Sequence, residues 1–198
     1  MKLELLSRLD LDTHSGDLAE LCELFARMDS AYQQVADRYG FACSGCSGNC
    51  CLTLFYHHTV SEYLLLKKGF VALPKYEQNQ IKGRADQVVA AYQAGGPANE
   101  PLRQMCPLNR NGRCRLYRQR PMICRLHGIP HQLSKPGQPP LIGPGCGEFT
   151  RRFGSKTRQR LDRTVFYRQL AELEGRLRRA TGFSQRLKIT VAGMITTY

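Results

Sequence analysis

The chain has no apolar run long enough to cross a membrane. Its best stretches are Leu52-Thr53-Leu54-Phe55-Tyr56 and Tyr63-Leu64-Leu65-Leu66. It shows no secretory signal either, since the opening Met1-Lys2-Leu3-Glu4-Leu5-Leu6 soon meets Arg8, Asp10 and Asp12. Walker loop, Rossmann glycine pattern and nucleophile elbow are all missing. So are a zinc-finger set of paired histidines, a ferredoxin run of cysteines, a helix-turn-helix and an RNA-binding aromatic motif. Internal repeats and low-complexity tracts are absent too. These absences exclude the common signatures of nucleotide, acyl-transfer and finger chemistry, and they predict a cytoplasmic protein. Acidic residues are scarce in the second half: residues 101–198 hold 20 Lys+Arg against 4 Asp+Glu, whereas residues 1–100 hold 9 against 12.

What the chain does have is cysteine. Eight of its 9 cysteines fall in two blocks. The first reads Cys43-Ser-Gly-Cys46-Ser-Gly-Asn-Cys50-Cys51, and the second holds Cys106, Cys114, Cys124 and Cys146. In a reducing compartment thiols stay free, and the odd count also argues against a disulfide framework. A metal or metal cluster is the better reading. Cys43-x-x-Cys46 suits two ligands of one metal, because a tight turn puts both sulfurs on one side. Gly45 and Gly48 let the loop fold back sharply. Adjacent Cys50 and Cys51 raise a specific question, since neighbouring side chains tend to diverge: either they serve two metals, or one ligates while the other packs. The two blocks are separated by 54 intervening residues, so a shared metal would tie distant parts of the fold together. Soft thiolates suit zinc and iron–sulfur clusters alike.

The basic excess has two readings. A basic half suggests an anionic partner, nucleic acid included. Yet eight basic residues and no acid run from Arg103 to Lys135, interleaved with Cys106, Cys114 and Cys124. Arginines there would offset the negative charge of metal-bound thiolates and donate hydrogen bonds to sulfur, and Arg120 and Arg125 are the candidates for that supporting role. His57 and His58, or His127 and His131, could neighbour a metal.

At 198 residues the chain is most simply one domain, 1–198, large enough to bury a core. Helical periodicity runs from Ser15 to Tyr39 through Leu18, Leu21, Cys22, Phe25 and Met28, with Gly40 as the stop, and it places Cys22 in the core. Leu52 to His58 reads as a short strand. Thr59-Val-Ser-Glu62 reads as a capping box opening a helix through Lys68, and a further helix is expected from Pro74 to Ala94. Residues 101–150 lack periodicity and hold most of the 10 prolines. A basic helix is expected over 156–181, within a basic C-terminal segment at 150–182. The stretch from Leu187 to Ile195 fits either a strand or a short helix. The fold class is mainly α: a single small domain of helices with irregular cysteine-bearing loops organised around a metal site.

Cys43-x-x-Cys46-x-x-x-Cys50-Cys51, then Cys106-Pro107-Leu108, then Cys114-x-x-Tyr117-x-x-Arg120-Pro121-x-x-Cys124-Arg125, resembles the YkgJ-like cysteine-cluster proteins. These are described as zinc- or iron-chelating domains of the CxxCxxCC type. The resemblance spans residues 41–149. It implies a bacterial metal-binding domain holding zinc, iron or an iron–sulfur cluster, with Cys43, Cys46, Cys50, Cys51, Cys106, Cys114, Cys124 and Cys146 as ligands. One departure is local: where the family often has an aromatic-proline pair, this chain has Leu126-His127-Gly128-Ile129-Pro130-His131. Flagellin lysine methylases carry a related cysteine domain associated with an iron–sulfur cluster. A modifying enzyme and a nucleic-acid-binding module with structural zinc are therefore the alternatives to a plain metal-binding protein.

Overall fold

A computed structural model describes residues 2–43, 49–95, 102–154 and 159–198. Among these residues the chain forms eight α-helices and five short strands. The helices are α1 (Lys2–Ser7), α2 (Ser15–Arg38), α3 (Val60–Val71), α4 (Lys75–Ala94), α5 (Met122–Leu126), α6 (Gly147–Phe153), α7 (Thr164–Thr181) and α8 (Val191–Ile195). The mainly helical class holds, with more sheet than the sequence suggests.

The centre of the packing is α3. Every residue from Val60 to Leu66 is buried, so this helix is apolar on nearly all sides rather than amphipathic. It packs against α2, α7 and α8. Its first turn also carries Ser61 and Glu62, whose polar groups need internal partners. Glu174 of α7 supplies one set: its carboxylate accepts from the Val60 amide at 2.8 Å, the Ser61 amide at 3.0 Å and the Ser61 hydroxyl at 2.9 Å. Half of the expected capping box forms: the Thr59 hydroxyl accepts from the Glu62 amide, while the Glu62 carboxylate accepts from the Thr59 hydroxyl and the Met122 amide. The helix then runs through Gly69 to Val71, beyond the expected stop.

Leu18, Leu21, Leu24, Phe25 and Met28 form the buried stripe of α2. Cys22 is exposed, contrary to its expected place in the core. The stripe turns through Leu21, Leu24 and Phe25, and that leaves Cys22, 100° round from Leu21, on the solvent side. α4 matches its expected span and buries Ile81, Ala85 and Val88. α7 begins at Thr164, later than expected, and buries Leu170, Leu173 and Leu177. Several of its arginines are paired: Arg176 with Glu20, Arg178 with Glu174, and Arg168 with Glu172. The stretch from Leu52 to His58 is not a strand. A 3-10 turn covers Cys50–Leu52, and only His57 pairs, in a single bridge with Ile189. Of the two alternatives for the tail, the short helix forms at Val191–Ile195, preceded by the single bridge of Ile189.

The aperiodic stretch after residue 101 contains two hairpins. β1 (Asn109–Arg110) and β2 (Arg113–Cys114) are joined by Asn111 and Gly112, both at positive φ, 53° and 81°. This is the Asn-Gly arrangement that matches strand twist. β3 (His131–Lys135) pairs antiparallel with β4 (Gln138–Gly143) and parallel with β5 (Leu161–Asp162). Strands this short carry no readable alternation, which is why the region looked structureless. Among the described residues, no helix is long and apolar enough to cross a membrane.

Candidate metal centre

Of the eight predicted ligands, Cys46 lies outside the described residues and Cys146 is placed separately, while Cys43, Cys50, Cys51, Cys106, Cys114 and Cys124 lie near enough to feel one another's charge. Three chain segments converge there: the turn at Cys50–Leu52, the β1–β2 hairpin with its approach, and α5. The Cys106 amide donates to the Cys51 carbonyl at 2.9 Å, which joins the two cysteine blocks through backbone. The hairpin is closed by Asn109 N–H to Cys106 C=O at 2.9 Å and Arg115 N–H to Leu108 C=O at 2.8 Å. Asn109 stands opposite Cys114. Arg84 of α4 pins the hairpin from outside, its Nη2 donating to the Pro107 carbonyl at 2.9 Å.

Cys124 arrives on α5, a five-residue helix with Pro121 before its first turn. Pro121 fits there because the turn has no use for its missing N–H. Glu62 accepts from the Met122 amide at 2.7 Å. Arg125 is 3% exposed and acts as a bracket: it donates to Asp29 of α2 and to the carbonyls of Arg118 (2.6 Å) and Arg120 (3.3 Å). Its guanidinium also lies 4.4 Å from the centre of the Phe25 ring. Arg120 pairs with Asp29 at 2.9 Å and stacks over Tyr117 at 3.6 Å. Tyr117 is otherwise exposed, so its packing partner is the arginine and not the core. Both arginines favour the Cys114 thiolate through their charge, while their hydrogen bonds go to Asp29 and to backbone carbonyls.

Cys146 arrives by a different route. Its sulfur caps α6, accepting from the Phe149 amide at 3.4 Å. Its own amide donates to the Gly128 carbonyl at 3.0 Å. Gly128 has φ 117°, and a Cβ there would stand 2.9 Å from the Tyr32 hydroxyl. Phe41, two residues before Cys43, packs edge-on against Phe149 at 5.2 Å. The ends of the cysteine loop and of the β4–α6 connection are thereby held together across α2.

The thiols act on one another. Loss of solvent pushes Cys106 up to about 12 and Cys114 up to about 11, and raises Cys124 well above the ordinary thiol value. Neighbouring thiols add to each shift: Cys114 and Cys51 on Cys106, Cys51 on Cys114, and Cys106, Cys114 and Cys51 on Cys124. Opposing these, the Leu108 amide reaches the Cys106 sulfur and the Leu116 amide reaches the Cys114 sulfur. Cys50 and Cys51 hydrogen-bond through their thiols, which raises Cys50 and lowers Cys51. The adjacent side chains thus meet instead of diverging.

Among the described residues, no three His, Cys, Asp or Glu side chains already stand in a metal-ligating arrangement. The surroundings nevertheless fit a thiolate-bound cation. Asn109 Nδ2 is buried without a hydrogen-bond partner, while its Oδ1 is held by the Gly112 amide at 3.1 Å. The Asn109 side-chain amide lies near enough to the Cys51 thiol to help lower it. A buried donor lacking an acceptor costs free energy, and a Cys51 sulfur held as thiolate is the acceptor beside it. Buried thiols kept protonated by their surroundings exchange protons for a cation when a soft metal binds.

The histidines stand apart from this chemistry. His57 is 2% exposed, with Nε2 unpartnered, and burial followed by the nearby His58 lowers it to about 4. His58 Nδ1 bonds with the Leu187 carbonyl at 2.9 Å. His127 rests edge-on against Phe55 at 5.3 Å, and His131 contacts the Ile129 carbonyl. Asn109 and Tyr32 escaped the sequence reading as parts of this site, and Glu62 was read only as a helix cap. The Asn-Gly turn was a usable signal for Asn109, while nothing local marked Tyr32.

Cysteines from three separate segments lie together here, and backbone amides and the charges of nearby arginines favour their thiolates. Residues 42–137, just under half of the chain, match the CxxCxxCC family, whose description is "Putative zinc- or iron-chelating domain". This segment belongs to that family, of which YkgJ-like proteins are members. Cys146 lies beyond the matched segment. No curated protein and no solved structure matches the chain.

Proposed function

We propose that the chain is a metal-binding protein that holds zinc or iron, as ions or as an iron–sulfur cluster, through both cysteine blocks, and that the fold is organised around that metal. The observation carrying this reading is the neighbourhood of Cys51, Cys106, Cys114 and Cys124, three of them on segments that share backbone hydrogen bonds, with the unpartnered Asn109 amide beside them. Such a metal supplies a cross-link in place of missing core: β1, β2 and α5 are each too short to be stable alone. Thiolates, backbone amides and arginines together balance its charge. The full chain should be purified without oxygen and its zinc, iron and sulfide measured alongside a visible spectrum. Zinc or iron bound in proportion to protein supports the reading. A chain that stays folded and carries neither metal, even after zinc or ferrous iron is supplied, overturns it.

A further inference from the structure

Arg163 is a buried cation that the fold does not neutralise. It is 4% exposed, and among the described residues no carboxylate pairs with it. Its Nη2 donates to the Leu126 carbonyl, while its Nε–H is buried with no hydrogen-bond partner. An uncompensated buried charge is costly, and so is a buried donor without an acceptor. Arg125, by contrast, has the Asp29 carboxylate.

Strand geometry explains why the nearest acid does not help. Arg163 directly follows β5, and its amide donates to the Gln132 carbonyl at 2.9 Å. Successive strand residues face opposite sides. Leu161 and Arg163 are buried while Asp162 between them is exposed. The Asp162 carboxylate is taken instead by the Thr164 amide at 2.8 Å and the Gln132 side chain at 3.2 Å. The register that pairs His131 with Leu161 puts His131 on the Arg163 side.

A second histidine stands close by. His127 follows the Leu126 carbonyl that Arg163 holds. Both histidines are half-buried, so the group opens to solvent. The His131 ring lies over Gly143, where a Cβ would overlap it; that glycine makes room for the imidazole. His131 Nδ1 contacts the Ile129 carbonyl at 3.3 Å. Among the described residues, neither its Nε2 nor the His127 ring makes a hydrogen bond. Burial, and next the charge of Arg163, lowers both histidines. Cationic groups crowded together with no acid among them leave a place for an anion.

We propose that Arg163, His127 and His131 form an oxyanion site that takes a phosphate group and uses none of the cysteines. Arg163 supplies the charge and the unpartnered Nε–H. A planar carboxylate is best held by the paired N–H groups of the guanidinium, and the Leu126 carbonyl already occupies Nη2. A tetrahedral anion suits groups that arrive singly from separate side chains. With Nδ1–H on the Ile129 carbonyl, His131 Nε2 is an acceptor, and it meets the hydroxyl of a monoprotonated phosphate. Free phosphate and a small phosphate monoester share this chemistry.

Calorimetric titration of the full chain as purified, at fixed ionic strength, tests this with inorganic phosphate, glycerol 2-phosphate and sulfate. Phosphate should bind with single-site stoichiometry. Sulfate has no hydroxyl to offer Nε2 and should bind about tenfold or more weakly. A monoester that binds at least as well as phosphate assigns the site to a phosphorylated ligand, and one that is excluded assigns it to the free ion. His131→Phe keeps a ring over Gly143 and removes only the nitrogens, and it should weaken phosphate about tenfold. Arg163→Lys keeps a charge but loses the planar fork, and it should abolish binding. Where the lysine variant does not fold, His131→Phe and His127→Phe carry the test. No phosphate binding by the wild-type chain, equal binding of sulfate, or binding unchanged in both phenylalanine variants overturns the site.

Discussion

The Met122 amide donates to Glu62 at 2.7 Å across sixty residues of chain. Glu62 is 5% exposed, and its other oxygen accepts from the Thr59 hydroxyl. One buried carboxylate therefore finishes the start of α3 and fixes the start of α5, the helix that carries Cys124. Glu62→Ala strands both donors and should cost about 2–3 kcal/mol. Glu62→Gln keeps an acceptor for Met122 and should cost clearly less. Denaturant unfolding of the metal-free chain checks the order, and equal losses would show that the acceptor kept by glutamine contributes nothing at this position.

Glu174 is the second buried carboxylate with structural work. It serves the Val60 and Ser61 amides, the Ser61 hydroxyl and Arg178, whose Nε lies at 2.6 Å. Glu174→Ala leaves those donors inside and should destabilise by about 3 kcal/mol. Ser61→Ala removes a single partner and should cost about 1 kcal/mol. Thermal or denaturant melts of the two variants measure the difference.

Arg125 shows what a bidentate, planar cation does that an ammonium cannot. It holds Asp29, two carbonyls and the face of Phe25 at once. Arg125→Lys should therefore restore little of the roughly 3 kcal/mol lost in Arg125→Ala. Unfolding curves for both variants check this, and a lysine variant as stable as the wild type contradicts it.

His57 gives the pH dependence. Burial holds it at about 4 in the folded state, against an ordinary value of 6.5. Between those two values the unfolded chain binds the proton and the folded chain does not, so stability rises with pH across the window. The contribution is complete above pH 6.5 and disappears as pH falls through about 4, with a total of up to about 3 kcal/mol. His57→Leu should flatten this part of the stability–pH curve, measured by denaturant unfolding between pH 7 and 4. An unchanged slope would assign the acid sensitivity to other groups.

Periodicity made α2 and α4 legible, because one face of each helix meets the core and the other meets water. It misplaced Cys22, whose neighbour Leu24 carries the stripe instead. Thr59 and Glu62 announced the start of α3, but the tie from Glu62 to Met122 is tertiary and leaves no local mark. The hairpin at Asn109–Cys114 was hidden because two-residue strands show no alternation, although Asn111-Gly112 is a turn signal. That both cysteine blocks share one region was readable from their order and spacing. How Cys146 is placed was not, since its amide bonds to Gly128, which packs against Tyr32 and Phe41, all remote in sequence from it.

Metal content of the anaerobically purified chain tests the central claim most directly. The wild-type protein should carry zinc or iron in fixed proportion to protein, and Cys51→Ser and Cys106→Ser should each lower that content while Cys22→Ser leaves it unchanged. A folded wild-type chain free of both metals, or full metal retained after Cys51 and Cys106 are both replaced, would contradict it.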